Sequence, residues 1–264
     1  MPSTLWKLVK SVQLNNTKGM LKHVTIYCCP DVVSKFEHDN NNVTVGLINP
    51  CNQTLSGTAL PYFPIGGPLP VLPDTVFSNS NSWGGMEAGS SMLYPAQAVD
   101  GVVHMEGGSG LKNEIHKIPN IVLDTKVGIF EDEASSVLNI KVEVGNAVHT
   151  IATERLNTVH GYRYIIHTPP PFFNGKNSSE LLVKCYVSSI ELCFVHRLNV
   201  DILCCPLLGS GACGVPKDVA FQSFLRAIKE VEHRERPADT KPIRELRLAI
   251  PSMDDALSFV NNLI

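Results

Sequence analysis

The sequence predicts an α/β protein, a three-layer α/β/α sandwich of helices on both faces of one sheet. Three observations carry this. Short β-branched runs alternate with segments of helical period along the chain. The 264 residues suffice for one large domain that buries most of its surface without disulfides or metal. Hydrophobic residues make up 44% of the chain and charged residues 18%, which excludes global disorder.

Residues 24–29 (Val-Thr-Ile-Tyr-Cys-Cys) and 43–49 (Val-Thr-Val-Gly-Leu-Ile-Asn) read as strands from their β-branched and apolar content. Over residues 137–144, Leu138, Ile140, Val142 and Val144 alternate with Asn139, Lys141 and Glu143, which predicts a half-buried strand. Residues 162–168 and 201–208 are short apolar runs suited to buried strands. Leu246, Leu248 and Ile250 mark a last strand. Helical spacing joins Leu182, Cys185, Tyr186 and Ser189, and then Phe221, Phe224, Leu225, Ile228 and Val231. A final short helix is expected after Ser252, with Asp255 completing a capping box. Residues 58–98, rich in Gly, Pro, Ser and Asn, have no sustained period and read as a long insert within a single 1–264 domain.

A net charge of −3 offers no general attraction for a nucleic-acid backbone or an anionic membrane. No apolar run reaches membrane-spanning length, and the lysines among the first ten residues interrupt any secretory apolar core. These features predict an intracellular chain of the cytoplasm or nucleus, with neither a specific nucleic-acid partner nor a membrane. The eight cysteines, including the pairs Cys28-Cys29 and Cys204-Cys205, fit reduced, buried thiols. Cys185, Cys193 and His196 come nearest to a metal-ligand cluster, but their spacing is not that of a zinc site, so no metal is expected.

The strongest local signal is Gly209-Ser210-Gly211-Ala212-Cys213-Gly214, between a buried-type strand and an amphipathic helix. Glycines let backbone approach a ligand closely, and N–H groups at a helix start attract phosphate. A conventional dinucleotide site is excluded by position, since only one strand follows and no acid ends a strand about twenty residues on.

Five segments, in chain order, resemble the motifs of one known family. Pro30-Asp31-Val32-Val33 is similar to Gly-Asp-Ile-Thr, and Ile48-Asn49-Pro50-Cys51-Asn52 to Val-Asn-Ala-Ala-Asn. Val99-Asp100-Gly101-Val102-Val103-His104 is similar to Val-Asp-Gly-Ala-Ile-His, and Tyr164-Ile165-Ile166-His167-Thr168 to a strand ending in Ile-His-Thr. The segment from Cys205 to Pro216 resembles Pro-Ala-Ile-Ser-Thr-Gly-Ile-Tyr-Gly-Tyr-Pro. Together, in the family's own order, they resemble the macro domain, an ADP-ribose-binding module, and the resemblance implies a mixed central sheet. It implies that Asp31, with Val32, binds adenine, that Asn52 binds the distal ribose, and that Gly209, Ser210, Gly211, Ala212 and Cys213 cradle the diphosphate. Asp100 would assist hydrolysis, by orienting water or by stabilising charge at the anomeric carbon. Asn49, His104, His149 and His167 are expected to be structural.

The sequence also departs from the family's pattern. Residues 94–98, Tyr-Pro-Ala-Gln-Ala, stand where the family is glycine-rich, and Cys213 replaces a loop aromatic. Three functions remain open. One is a hydrolase removing mono-ADP-ribose from modified proteins or cleaving related ADP-ribose esters. The others are a reader that binds ADP-ribose without cleaving it and an interaction protein on a decayed scaffold. Asn52 and Asp100 favour the first, and the missing glycines the second. The expected partners are ADP-ribose or ADP-ribosylated proteins, with no cofactor beyond that ligand and a monomeric chain.

Overall fold

A computed structural model of the chain describes residues 6–34, 42–57, 98–121, 140–173 and 177–261. The 58–98 insert lies almost wholly outside the described residues.

Seven strands form one sheet: β1 (Lys7–Gln13), β2 (Leu21–Cys28), β3 (Val45–Pro50), β4 (Val148–Ile151), β5 (Tyr164–Thr168), β6 (Ile202–Pro206) and β7 (Ile243–Ile250). Their order is β1-β2-β7-β6-β3-β5-β4. The five central strands run parallel, and β1 and β4 close the two edges antiparallel, so the sheet is mixed.

Both faces are covered. Helices α3 (Ser178–Val195), α4 (Lys217–Glu232) and α5 (Met253–Asn261) pack on one face against Ile48, Ile166, Leu203, Leu246 and Leu248. Tyr186 meets Phe224 edge-on at 5.2 Å, and Phe221 stacks on Phe259 at 4.4 Å, tying the three helices together. Helix α1 (Val99–His116) and the short α2 (Glu154–Thr158) cover the other face, where Val103, Leu111 and Leu156 pack on Leu47 and Ile165.

The predicted strands at 24–29, 43–49, 162–168, 201–208 and 246–250 appear as β2, β3, β5, β6 and β7, and the three predicted helices as α3, α4 and α5. The strand expected at 137–144 is not formed in its described part. Ile140 makes an isolated bridge to Ile121, and the N–H groups of Lys141 and Val142 both donate to the Gln53 carbonyl before the chain turns at Gly145. A loop carbonyl takes the bonds that a ladder would have used. The capping box is half made: Ser252 Oγ accepts from the Asp255 N–H at 3.3 Å, while the Asp255 carboxylate pairs with Lys217 at 2.6 Å.

Helix α1 lacked a clear sequence signal because four glycines interrupt it. It kinks at Gly108, whose φ is 52° and ψ −144°. The Glu154 carboxylate caps the second half, accepting from Gly110 N–H at 2.9 Å and Ser109 Oγ at 3.1 Å. That φ and ψ are a conformation side-chain-bearing residues rarely adopt, so glycine is favoured there, and a Cβ would also push the Glu154 carboxylate aside.

Candidate functional site

In an open parallel sheet the carboxyl ends of the strands offer a crevice where successive connections leave toward opposite faces. Here that point lies between β3 and β6. The chain leaving β3 reaches α1 on one face, and the chain leaving β6 reaches α4 on the other. Every residue singled out by motif follows a strand at this edge or begins the helix beside it. Asp31 and Val32 follow β2, Asn52 follows β3, residues 209–213 follow β6, and Asp100 opens α1.

Backbone geometry defines the loop after β6. Gly209 (φ 79°) and Gly214 (φ 70°) adopt the left-handed conformation that favours glycine. The N–H of Val215 closes onto the Gly209 carbonyl at 3.0 Å, and that of Gly214 onto the Gly211 carbonyl at 2.9 Å. Ser210 Oγ donates to the Leu207 carbonyl at 2.8 Å, so this side chain serves the turn. From beneath, the Tyr186 hydroxyl accepts the Leu208 N–H at 2.7 Å. The N–H groups of Gly211, Ala212 and Cys213 donate to nothing among the described residues. Gly211 is exposed, and a Cβ built on it meets no atom within 4 Å. The result is a rigid turn with donors to spare, the arrangement an anion requires.

Asp31 sits in a tight turn. Its Oδ1 accepts the Val33 N–H at 3.0 Å, and its carbonyl accepts Ser34 Oγ at 2.6 Å. Val32 is buried, and its carbonyl accepts the Tyr162 hydroxyl at 2.6 Å, which anchors the turn. Asn52 is more committed than its motif suggests. Its Oδ1 accepts from Ser56 N–H at 3.1 Å and Thr54 Oγ1 at 2.9 Å, and its Nδ2 donates to the Gly57 carbonyl and Ser56 Oγ, both at 3.1 Å. The amide thus organises its own 52–57 turn.

Asp100, Asn49 and His167 form a buried polar chain. Asn49 and His167 are directly opposed across β3 and β5, both fully buried. Asn49 Nδ2 donates to Asp100 Oδ1 at 2.8 Å and to His167 Nδ1 at 3.2 Å, and His167 Nε2 meets Thr150 Oγ1 at 3.0 Å. On the helix side His104 Nε2 lies 3.6 Å from Asp100 Oδ1. Burial holds His167 down at about 3, so it is neutral near pH 7, and burial also lowers His104 despite the opposing pull of Asp100. His149 stands apart, tilted against His196 at 4.7 Å.

The thiols near this edge are unreactive. Burial pushes Cys213 up to about 12 and Cys51 well above the usual thiol range, so neither supplies a thiolate. Cys193 donates to the Ser189 carbonyl within its own helix and Cys185 to the Pro169 carbonyl. No group of three or more His, Cys, Asp or Glu among the described residues could hold a metal ion.

The motifs thus come to one edge, but the two proposed catalytic residues sit in different networks. Asn52 binds its own turn, and Asp100 is held by Asn49, a residue expected to be structural. The available signal was an asparagine inside a strand buried on both faces, where an amide must find partners.

Comparisons with known proteins agree with this architecture. The family described as Macro domain matches residues 87–224. ADP-ribose glycohydrolase MACROD1 of Bos taurus is 28% identical over 152 residues, covering 55% of this chain. That match spans 37% of the bovine protein's length. Protein-ADP-ribose hydrolase of Staphylococcus aureus is 34% identical over 71 residues, 25% of this chain and 26% of its own. Among solved structures, the Oceanobacillus iheyensis macrodomain with ADP superposes with TM-score 0.57 at 17% identity, covering 96% of this chain and 95% of that one. The Trypanosoma brucei macrodomain in complex with ADP-ribose gives 0.54 at 14% identity, covering 96% and 75%.

Proposed function

Because the chain belongs to the macro domain family, we propose that it binds ADP-ribose along the carboxyl edge of its sheet and hydrolyses mono-ADP-ribose from modified proteins or from a related ester. The observation that carries this reading is the 209–213 loop, with three successive N–H groups that donate to nothing among the described residues, on a turn fixed by Gly209 and Gly214. A diphosphate accepts from such donors without needing a cationic side chain.

The other groups divide the ligand between them. The Asp31 carboxylate suits the adenine amino group, since an ionised carboxylate only accepts. Asn52 reaches a distal ribose hydroxyl by exchanging its contacts with Ser56. Asp100 takes a proton from water as the water oxygen bonds to the anomeric carbon. The bond from that carbon to the protein side chain breaks, its electron pair leaves with the side chain and the proton passes from Asp100 to that side chain, leaving free ADP-ribose, an unmodified acceptor and an ionised Asp100. The step as written draws on no cofactor. ADP-ribosylated proteins are the partners of this reading, met by a monomeric chain in the cytoplasm or nucleus.

A second reading, a binding module without turnover, has two observations in its favour. The Asn52 amide is engaged within its own turn, and Cys213 stands where the family has an aromatic. Small misplacements cost catalysis more than they cost binding.

One experiment separates the two: an auto-modified transferase is incubated with wild type, Asp100→Ala and Asn52→Ala, and label release is followed. The hydrolase reading expects release by wild type and a loss of about 10²–10⁴-fold in Asp100→Ala, with little change in ADP-ribose affinity. Tight binding without release from acidic, serine or arginine linkages leaves the binding module.

A further inference from the structure

We propose that Asn49 is a positioning residue for catalysis, holding the Asp100 carboxylate in register with the 52–57 turn; the proposal rests on the hydrolase reading above. Polarity fixes the orientation of the Asn49 amide. A carboxylate oxygen can only accept, so the Asn49 atom 2.8 Å from Asp100 Oδ1 must be Nδ2. Its second hydrogen goes to His167 Nδ1 at 3.2 Å. The neutral His167 therefore carries its proton on Nε2 and donates it to Thr150 Oγ1.

The arrangement serves Asp100 rather than Asn49. Asn49 Oδ1 has no partner among the described residues although the side chain is fully buried, a costly state for an amide that only fills space. An apolar side chain at this point of β3 would pack against Leu47 and Ile165 without that cost. What the amide adds is a donor aimed at Asp100 from a strand, with a cross-strand histidine fixing its angle.

Asp100 is bounded on its other side by His104. A Cβ built on Gly57 (φ 81°) would lie 2.8 Å from His104 Cγ, so the 52–57 backbone rests against the imidazole that faces Asp100 at 3.6 Å. The turn organised by Asn52 and the carboxylate held by Asn49 thus share one wall. Among the described residues, the titratable groups bearing on Asp100 include His104 on α1, His167 beyond Asn49 on β5, and the protonated Cys51 thiol after β3. Lys112 acts on His104, and His149 on His167.

The test uses the full chain with Asn49→Leu and Asn49→Gln. Release of label from a mono-ADP-ribosylated protein is followed between about pH 4.5 and 8, beside calorimetric affinity for ADP-ribose. In Asn49→Leu, kcat is expected to fall at least about 10-fold while KM and Kd stay within about twofold. The acid limb should move to higher pH, because the ionised carboxylate loses a donor. Asn49→Gln keeps an amide donor, displaced by one methylene, and should recover part of kcat. An unchanged kcat, or kcat and affinity falling together with an unmoved acid limb, overturns the proposal. If Asn49→Leu does not fold, Asn49→Ser carries the same readouts. If wild type releases nothing, the hydrolase reading fails by itself, and carbon-13 NMR titration of the Asp100 carboxyl decides the placement. A midpoint that rises in the variant upholds it, and one unchanged from wild type overturns it.

Discussion

The loop after β6 and the Asn49–Asp100 pair lie at the same edge of the sheet, yet one is built from backbone and the other from side chains. In the loop the chemistry is local. Gly209 and Gly214 take left-handed φ, Ser210 ties the turn, and the spare N–H groups of residues 211–213 come from adjacent positions. At the buried pair, Asn49 and Asp100 with their neighbours His104, His167 and Thr150 come from β3, α1, β5 and β4. A backbone site tolerates change in side chains but not in the glycines. A side-chain site tolerates neither loss of a partner nor the arrival of a charge.

The first way to break this comparison is at Gly209. A side chain there would face the left-handed penalty of about 1–2 kcal/mol, and its Cβ would sit 2.9 Å from Val215 Cγ2 and 3.0 Å from Leu182 Cδ2. With overpacking of about 1–3 kcal/mol added, Gly209→Val should lower stability by about 2–5 kcal/mol in denaturant unfolding. A variant as stable as wild type would show that the loop does not need this conformation.

A second prediction concerns the buried pair's response to acid. His167 titrates at about 3 when folded, against about 6.5 for an unfolded histidine, so its folded pKa is depressed. The contribution is therefore nearly complete above about pH 6.5 and lost as pH falls toward 3, by about 2.3 kcal/mol between pH 6.5 and 4.5. His167→Gln should be less stable than wild type at pH 7 yet lose less on acidification. Parallel pH profiles for the two proteins would remove His167 as the source.

The third prediction, of smallest size, is at Asp31. Losing a charge-assisted hydrogen bond to adenine should cost Asp31→Ala about 2 kcal/mol in ADP-ribose affinity and leave ribose-5-phosphate unaffected. Equal losses for both ligands would move adenine elsewhere.

The same contrast explains what could be read from sequence. Helices α3 and α4 carry unbroken helical period, and β2, β3, β5, β6 and β7 are compact apolar runs, so local pattern and fold agree. Strand β1 does not, because nearly all of its residues are exposed, and β4 is only four residues long. The period at 137–144 was genuine in its buried Ile140 and Val142, but Gln53 captured the N–H groups a ladder needs. The diphosphate loop was legible because glycine spacing reports backbone conformation, with one adjustment: the left-handed residues are Gly209 and Gly214, while Gly211 contributes open space. The Asn49–Asp100 bond was not legible. It joins residues 51 apart in sequence, and it depends on the β3–β5 register and on how α1 packs.

Gly211 offers the most direct test of the central claim, that ADP-ribose binds on the backbone of this loop. Nothing lies within 4 Å of a Cβ at this position, and no left-handed φ constrains it, so Gly211→Val should fold and melt like wild type. Its methyl groups would fill the open space beside the loop, which the account assigns to the diphosphate. Isothermal titration of ADP-ribose, beside AMP and ATP, into wild type and Gly211→Val is the measurement. The account predicts binding to wild type and none to the folded variant. Equal affinity in the two proteins would contradict it.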